Sequence, residues 1–274
     1  METARVVVGE TTIHRVPVGA AGETLAVRLE NPERARAHLE LPCLLFVHGL
    51  GSTQDGEKAT SFRRMATARG HAFASFDFRG HGASGGSLRE LTMSRNLDDL
   101  DAVVGWLEAR GWARPVLVGS SMGAAAALWF SVRQPARVRA GMHLAPGLWM
   151  AEGLARWAGE RFEEWRSRGA IRLRNQWLEA ELGWGLMADL GAYRAEEVAD
   201  RLATPTLIVQ GIEDDTVPWR KVADFVGACR ERRVELVLVR DGDHRLTAHE
   251  ERVWEWMVGF LAARVLRAGD RAAS

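Results

Sequence analysis

The sequence is poor in cysteine, and this scarcity limits the environments in which the protein is expected. Only Cys43 and Cys229 occur among 274 residues. Cys43 lies in an apolar, strand-like run and Cys229 near the end of a helix-like run, so the spacing predicts no disulfide framework. A reducing compartment is the expectation that fits this composition.

The sequence also has no surplus of either charge. It contains 36 Lys and Arg residues against 36 Asp and Glu residues. Binding to a nucleic-acid backbone or to an anionic membrane surface calls for an excess of positive charge. The balance argues against both partners and favours a small molecule, and it leaves the oligomeric state open.

Long hydrophobic runs of the kind that membranes require are missing. Residues 1–5 do not begin a basic region followed by an apolar stretch, so no secretory signal is predicted. The longest uncharged stretch is 115–132, but Gly119 and Gly123 interrupt it and its first part is β-branched. A buried strand, a turn and a buried helix explain it better than a membrane span. We therefore expect a cytoplasmic protein without stable membrane insertion.

What the sequence does contain is an alternation of apolar runs with segments of helical period. A length of 274 residues suits one large α/β domain. Two short antiparallel strands are predicted at 5–8 and 25–29. Further strands are predicted at 43–48, 71–77, 115–119, 138–144, 206–210 and 234–239, and helices at 57–69, 95–110, 121–133, 220–230 and 248–268. Continuous apolar strands that alternate with helices predict a mostly parallel sheet with helices on both faces.

One interval breaks this alternation. About sixty residues separate the strand ending near Leu144 from the strand starting near Thr206, far more than a simple connection needs. We interpret 146–203 as a helical cap inserted after the sixth strand, with the core formed by 1–145 and 204–274. The tryptophans of this interval are Trp149, Trp157, Trp165, Trp177 and Trp184. They either pack the cap onto the core or line an acyl pocket, and Trp149 is the ring predicted to bind substrate.

The segment Gly119–Gly123 has the pattern G-x-S-x-G. In this motif a strand turns sharply into a helix and presents a serine hydroxyl at the edge of the sheet. The spacing selects Ser121 as a nucleophile and excludes Ser120. The alternative is that Ser121 only caps the following helix.

A second glycine-rich turn follows the predicted strand that ends at His48. Acyl transfer places negative charge on a carbonyl oxygen, and fixed backbone donors stabilise that charge. We assign such an oxyanion hole to the amides of Leu50 and Met122, the latter at a helix N-terminus. His48 is interpreted as a brace for the loop.

An acidic loop follows the strand at 206–210. A histidine base needs a carboxylate to fix its tautomer, and Asp214 and Asp215 both have the right chemistry. The spacing G-x-x-D-x-x-V-P favours Asp214, with Asp215 as a loop cap.

His244 lies in the loop before the last helix and is the predicted base, with His249 as its rival. His143 follows a strand that should end near the pocket, so it is a candidate pocket residue. None of the remaining histidines shows metal-ligand spacing with acidic or cysteine partners. No metal and no cofactor are expected.

With these residues assembled, the chain resembles the α/β-hydrolases over nearly its whole length. The nearest likeness is to mitochondrial abhydrolase-domain proteins that act as palmitoyl-protein thioesterases and acyl-glucuronide esterases, and bacterial carboxylesterases are similar. The segments that carry the resemblance are 76–84, 118–123, 214–219 and 243–245. The resemblance implies an α/β-hydrolase fold with nucleophile, acid and base at Ser121, Asp214 and His244, in the chain order of that fold. It also implies that residues 79–81 mainly shape the scaffold.

The leading hypothesis is a serine carboxylesterase or thioesterase. One alternative is an amide or carbon–carbon bond hydrolase that uses the same three residues. Another is a non-catalytic binding protein on the same fold, because a fold does not fix a function.

Overall fold

The computed structural model describes residues 12–19, 22–30, 41–174 and 179–266. Its strands are β1 (Ile13–Val18), β2 (Glu23–Glu30), β3 (Leu44–Val47), β4 (Phe73–Phe76), β5 (Val116–Ser120), β6 (Ala140–Leu144), β7 (Ala170–Arg174), β8 (Glu179–Gly183), β9 (Thr206–Gly211) and β10 (Val234–Val239). The central strands are short and apolar because both faces of the sheet are covered.

The helices alternate with these strands, as the apolar periodicity predicts. They are α1 (Glu57–Ala68), α2 (Met93–Glu108), α3 (Met122–Arg133), α4 (Met150–Ala158), α5 (Phe162–Arg168), α6 (Gly185–Leu190), α7 (Ala195–Arg201), α8 (Trp219–Ala228) and α9 (Glu250–Phe260). Helix α9 continues into a π-helical turn, Leu261–Leu266. Helix α2 begins at a threonine cap, where the Thr92 hydroxyl accepts the Arg95 amide at 3.0 Å.

Eight strands form one sheet in the order β1-β2-β4-β3-β5-β6-β9-β10. The first two pairs in this order, β1 with β2 and β2 with β4, are antiparallel, and the remaining neighbours are parallel. Apolar side chains of the helices cover both faces: Leu100 and Leu128 pack on one, Phe62 and Trp254 on the other. The predicted fold class, a mostly parallel sheet with helices on both faces, is confirmed.

The carboxyl ends of the parallel strands meet at one edge of the sheet. Gly119 of β5 pairs with Val47 of β3, and Ser120 pairs with Leu144 of β6. The loops that follow β3, β5, β6, β9 and β10 therefore leave from the same edge. In open α/β sheets this edge is where ligands bind.

The sequence predicts the first two strands of the sheet only in part. The strand predicted at 5–8 lies outside the described residues, and the predicted strand at 25–29 is the centre of β2. Strand β1 was missed because Arg15 and Pro17 interrupt its apolar pattern. Proline is tolerated there because, among the described strands, β1 lies at the edge of the sheet and pairs on one side only.

The insertion between β6 and β9 is rich in helices, as predicted, but it is not purely helical. It contains α4 to α7 and also a two-stranded antiparallel hairpin of β7 and β8. Ile171 and Leu173 are buried while Arg172 and Arg174 are exposed. This alternation has the period of a strand, and a helical interpretation of the segment overlooks it.

The prediction that His143 lines the pocket is wrong. The residue lies inside β6, between Gly119 of β5 and Ile208 of β9, and is 0% exposed. The strand continues to Leu144, so His143 is part of the sheet, with its ring packed toward Gly141. Neither ring nitrogen has a hydrogen-bond partner among the described residues.

His143 should make the fold sensitive to acid. Burial lowers the pKa of its imidazole to about 3, so between that value and the usual 6.5 the unfolded chain binds a proton that the folded chain does not. Stability is then full above pH 6.5 and falls as the pH decreases. Between pH 7 and pH 5 the free energy of unfolding should therefore fall in the wild type by about 2 kcal/mol more than it falls in His143→Leu. Urea unfolding at both pH values measures this difference, and parallel losses in the two proteins would contradict it.

Candidate active site

Ser121 occupies a strained turn between β5 and α3. Its backbone has φ 53° and ψ −117°, in a region that side chains rarely adopt. A Cβ atom on Gly119 would lie 2.5 Å from Ala124 Cα, and one on Gly123 would lie 2.1 Å from the Val47 carbonyl oxygen. The two glycines of the motif are therefore required by the close approach of strand and helix.

The structure brings the hydroxyl of Ser121, the imidazole of His244 and the carboxylate of Asp214 into one line. Nε2 of His244 lies 3.0 Å from Ser121 Oγ, and Nδ1 lies 2.9 Å from Asp214 Oδ2. Because a carboxylate only accepts hydrogen bonds, Nδ1 carries the proton and Nε2 directs its lone pair at the serine. The rival His249 instead lies near Asp241.

Asp214 is buried and held by several donors. Its Oδ1 accepts the amides of Thr216 at 2.9 Å and Val217 at 2.8 Å, and its Oδ2 accepts Gln210 Nε2 at 2.8 Å. Burial alone would raise the pKa of this carboxyl. The hydrogen bond and charge of His244, with the Val217 and Gln210 donors, outweigh burial and hold the pKa below its usual value.

Two neighbouring residues clarify the role of this acidic loop. Asp215 is exposed and accepts a hydrogen bond from the Thr216 hydroxyl at 3.0 Å, which fits its predicted role as a loop cap. Gln210 is fully buried at the end of β9 and also donates to the Val217 carbonyl. It was missed because a glutamine inside an apolar strand carries no motif.

The turn after β3 lies directly beside Ser121. A Cβ atom on Gly49 would come 3.3 Å from Ser121 Cβ, and Leu50 lines the space above the serine. Met122 is the first residue of α3, where backbone amides have no acceptor within the helix. The amides of Leu50 and Met122 thus belong to segments that flank the serine hydroxyl.

Two buried histidines brace the turn. His48 Nε2 accepts the Phe78 amide at 3.0 Å, so Nδ1 donates to the Gly49 carbonyl at 2.8 Å. His81 Nε2 accepts the Gly51 amide at 3.2 Å. Burial lowers the pKa of His48 to about 4 and, together with the charge of His48, lowers that of His81 to about 3. Both rings therefore remain neutral acceptors at ordinary pH.

The brace agrees with the interpretation of His48, whereas the part played by His81 in the turn was missed. The signal for it is the position of His81 in the segment 79–81, for which the resemblance predicts only a scaffold role. Arg79 does have that scaffold role: its guanidinium bonds the buried Asp99 and Glu23.

The loop of His244 is tied to the start of α1. Lys58 Nζ donates to the Arg245 carbonyl at 2.7 Å, and the Arg245 guanidinium donates to Glu57 at 3.0 Å. Burial lowers the pKa of Lys58 to about 8, with a smaller effect from the Arg245 charge. These contacts fix the His244 loop against α1, the element that follows the Leu50 turn.

Two cavities meet at Ser121 and His244. One, of about 480 Å³, lies under the cap and has a mainly apolar wall that includes Trp149, Met150, Leu154, Trp157, Leu173 and Val217. The other, of about 560 Å³, lies between the Leu50 turn, the start of α1 and Arg245, and its wall includes Ser52, Thr53, Glu57 and Lys58. The site therefore has an apolar side and a polar side.

The cap tryptophans divide between the two predicted roles. Trp149 and Trp157 line the apolar cavity. Trp165 is fully buried, packs edge-on against Trp184 at 5.5 Å, and donates from Nε1 to the Leu182 carbonyl. Trp177 lies outside the described residues. Packing and cavity lining thus hold for different rings.

The described residues bear on two other classes of site. No group of three or more His, Cys, Asp or Glu side chains there has an arrangement that could hold a metal ion. No helix in the same part of the chain is long and apolar enough to cross a membrane.

Comparison with known proteins defines the class. Residues 44–258 match the sequence family described as the alpha/beta hydrolase family. The protein therefore belongs to the alpha/beta hydrolase family.

The individual proteins that this chain is similar to share only a low sequence identity with it. The mouse protein named palmitoyl-protein thioesterase ABHD10, mitochondrial, is 25% identical over 228 residues, which cover 80% of this chain and 75% of the relative. A solved protein of Agrobacterium vitis is 28% identical with a TM-score of 0.78 over 92% of this chain and 98% of its own.

Est1E from Butyrivibrio proteoclasticus, solved with ferulic acid, is 21% identical with a TM-score of 0.73 over 89% of this chain and 98% of its own. At that identity the likeness shows the fold alone. The name of the mouse relative places that protein in mitochondria, and a cytoplasmic location of this chain stays a prediction.

The close approach of β5 and α3 at the Ser121 turn predicts a large loss of stability when one methyl group is added there. Gly123→Ala should destabilise the fold by about 3 kcal/mol or more, because its Cβ would meet backbone oxygens that cannot move aside. Gly153→Ala in α4 is the control, since a Cβ there meets no atom of the described residues within 4 Å. It should stabilise by about 0.5–1 kcal/mol. Urea unfolding measures both, and a tolerated Gly123→Ala would show that the turn is not under this constraint.

Proposed function

We propose that this protein is a serine hydrolase that cleaves carboxylic esters or thioesters through an acyl-enzyme on Ser121. The observation that carries the proposal is the alignment of Asp214, His244 and Ser121, with contacts of 2.9 Å and 3.0 Å, at the junction of an apolar and a polar cavity. Membership of the alpha/beta hydrolase family and a mouse relative named as a thioesterase support the same chemistry.

The reaction follows from the proton positions. Ser121 Oγ attacks the acyl carbonyl carbon while His244 Nε2 takes the hydroxyl proton. The carbonyl oxygen becomes negative, and the amides of Leu50 and Met122 are the donors we assign to it. Asp214 keeps the imidazole oriented and stabilises its charged form. The bond to the leaving oxygen or sulfur then breaks, and His244 returns the proton to the leaving group.

Water completes the cycle. His244 removes a proton from water, the hydroxide attacks the acyl carbonyl, and the bond to Ser121 Oγ breaks as the proton returns to the serine. The carboxylic acid leaves and the free enzyme is restored. Each proton removed by His244 is therefore given back within the cycle.

The two cavities differ in polarity, and this difference indicates how the substrate is oriented in the site. The cap cavity is walled by Trp149, Leu154 and Trp157, which suit a hydrocarbon acyl group. The opposite cavity carries the hydroxyls of Ser52 and Thr53 and the ammonium of Lys58, which suit a polar alcohol or thiol. We assign the acyl group to the first cavity and the leaving group to the second.

Ser121→Ala should abolish hydrolysis of p-nitrophenyl esters and acyl thioesters without unfolding the protein. Loss of the nucleophile of a serine triad costs about a millionfold in kcat, and Ser121 Oγ contacts His244 rather than the core. Steady-state kinetics and an unfolding curve measure the two effects. A variant that keeps more than about a thousandth of wild-type turnover would contradict the assignment.

The same kinetic assay with aminoacyl anilides and with substrates cleaved at a carbon–carbon bond tests the two alternative chemistries. If the wild type hydrolyses either class faster than esters and thioesters, that class replaces the proposed substrate, and Ser121 is still the nucleophile. A wild type that turns over no substrate and does not react with a fluorophosphonate would indicate a binding protein.

The acidic loop gives a matched pair of variants. Asp214→Asn should lower kcat by about ten thousandfold, because the asparagine amide favours the wrong imidazole tautomer. Asp215→Asn should change kcat by less than about threefold, since its carboxylate is exposed and bonds only the Thr216 hydroxyl among the described residues. Steady-state kinetics measure kcat for both variants. Equal losses would mean that Asp214 does not orient the base.

A further inference from the structure

Trp149 stands between the cap cavity and a second space. Beyond it lies an open groove of about 380 Å³, between α7 and α8, whose wall combines an apolar part, Ala195, Ala199 and Phe225, with the carboxylates of Glu196 and Asp224. Trp149, Glu152 and Lys221 line both the cavity and the groove. These three side chains form the partition between the space above Ser121 and the groove.

The tryptophan ring is fixed from the core side. It packs edge-on against Phe225 of α8, with ring centroids 6.4 Å apart. Lys221 Nζ lies 5.7 Å from the ring centroid and forms an ion pair with Glu152 of α4. Phe225 and Lys221 are four residues apart on α8, so the ring is held against one face of that helix.

We propose that Trp149 sets the maximum acyl-chain length by closing the cap cavity against the groove between α7 and α8. This inference rests on the proposed function, since it takes the cap cavity as the acyl site. Chains that fill the 480 Å³ cavity meet the indole ring. Removing the ring joins the cavity to this groove, where further methylenes contact Ala195, Ala199 and Phe225.

The direction in which the preferred chain length changes on removal of the ring distinguishes a ring that closes the cavity from a ring that only lines it. A ring that only contacts the chain would, on removal, weaken the longest substrates most. A ring that ends the cavity would, on removal, allow longer chains to bind, with a gain of up to about fourfold for each additional methylene buried. Trp157 is the matched control, because it lines the cap cavity but not the groove.

The experiment measures chain-length profiles for the wild type, Trp149→Ala, Trp149→Phe and Trp157→Ala. The first readout is kcat/KM for p-nitrophenyl esters with acyl chains of increasing length. The second is the affinity of saturated fatty acids of the same lengths, measured by calorimetry in a Ser121→Ala background. Binding needs no turnover, so the second readout tests the partition even if the proposed hydrolysis fails.

We expect Trp149→Ala to move the optimum to longer chains, with the ratio of long-chain to short-chain values raised by about tenfold or more in both readouts. Trp149→Phe keeps a ring and should stay near the wild-type profile. Trp157→Ala should weaken longer chains without moving the optimum upward. A uniform loss in Trp149→Ala, or a loss greatest for long chains as in Trp157→Ala, would overturn the partition. If Trp149→Ala does not fold, Trp149→Leu replaces it in both readouts. An optimum chain length in Trp149→Leu equal to that of the wild type would then overturn the proposal.

Discussion

The backbone of Ser121 is the constraint on which the rest of the site depends. Its φ of 53° is held because β5 and α3 approach so closely that only hydrogen fits at positions 119 and 123. That turn fixes where the hydroxyl points and places the Met122 amide at the start of α3. The other groups are brought to the same point by loops from the same sheet edge: the Leu50 turn after β3, Asp214 after β9 and His244 after β10.

Much of this arrangement could be predicted because it depends on local chemistry. The alternation of apolar runs with helical segments predicts the parallel sheet, and glycine spacing around Ser121 predicts the turn. The spacing in the acidic loop favours Asp214 over Asp215, and the structure has Asp214 in contact with His244. These features follow from sterics and hydrogen bonding within a few residues of one another.

The remainder depends on contacts between distant segments. His143 lies within the predicted strand 138–144, but its burial inside the sheet depends on the pairing of β6 with β5 and β9, which its own sequence does not encode. His81 supports the site through a partner 30 residues away. Gln210 reaches Asp214 and the Val217 carbonyl because the loop after β9 folds back over the end of that strand. The cap hairpin packs against the Leu88–Glu90 turn, where Gly183 approaches the Arg89 carbonyl, a contact that no local pattern encodes. The division of the tryptophans between packing and cavity lining is likewise a property of the assembled cap.

The central claim is that Ser121 becomes acylated, and trapping that intermediate tests it most directly. The protein would be mixed with a p-nitrophenyl ester, quenched in acid within the first turnovers, digested and analysed by peptide mass spectrometry. We predict that the mass of one acyl group is added to the peptide that contains Ser121, and that the adduct accumulates in Asp214→Asn far more slowly than in the wild type. Ester turnover in the wild type with the acyl group on another residue, or with water attacking directly and no adduct at any time, would contradict the account.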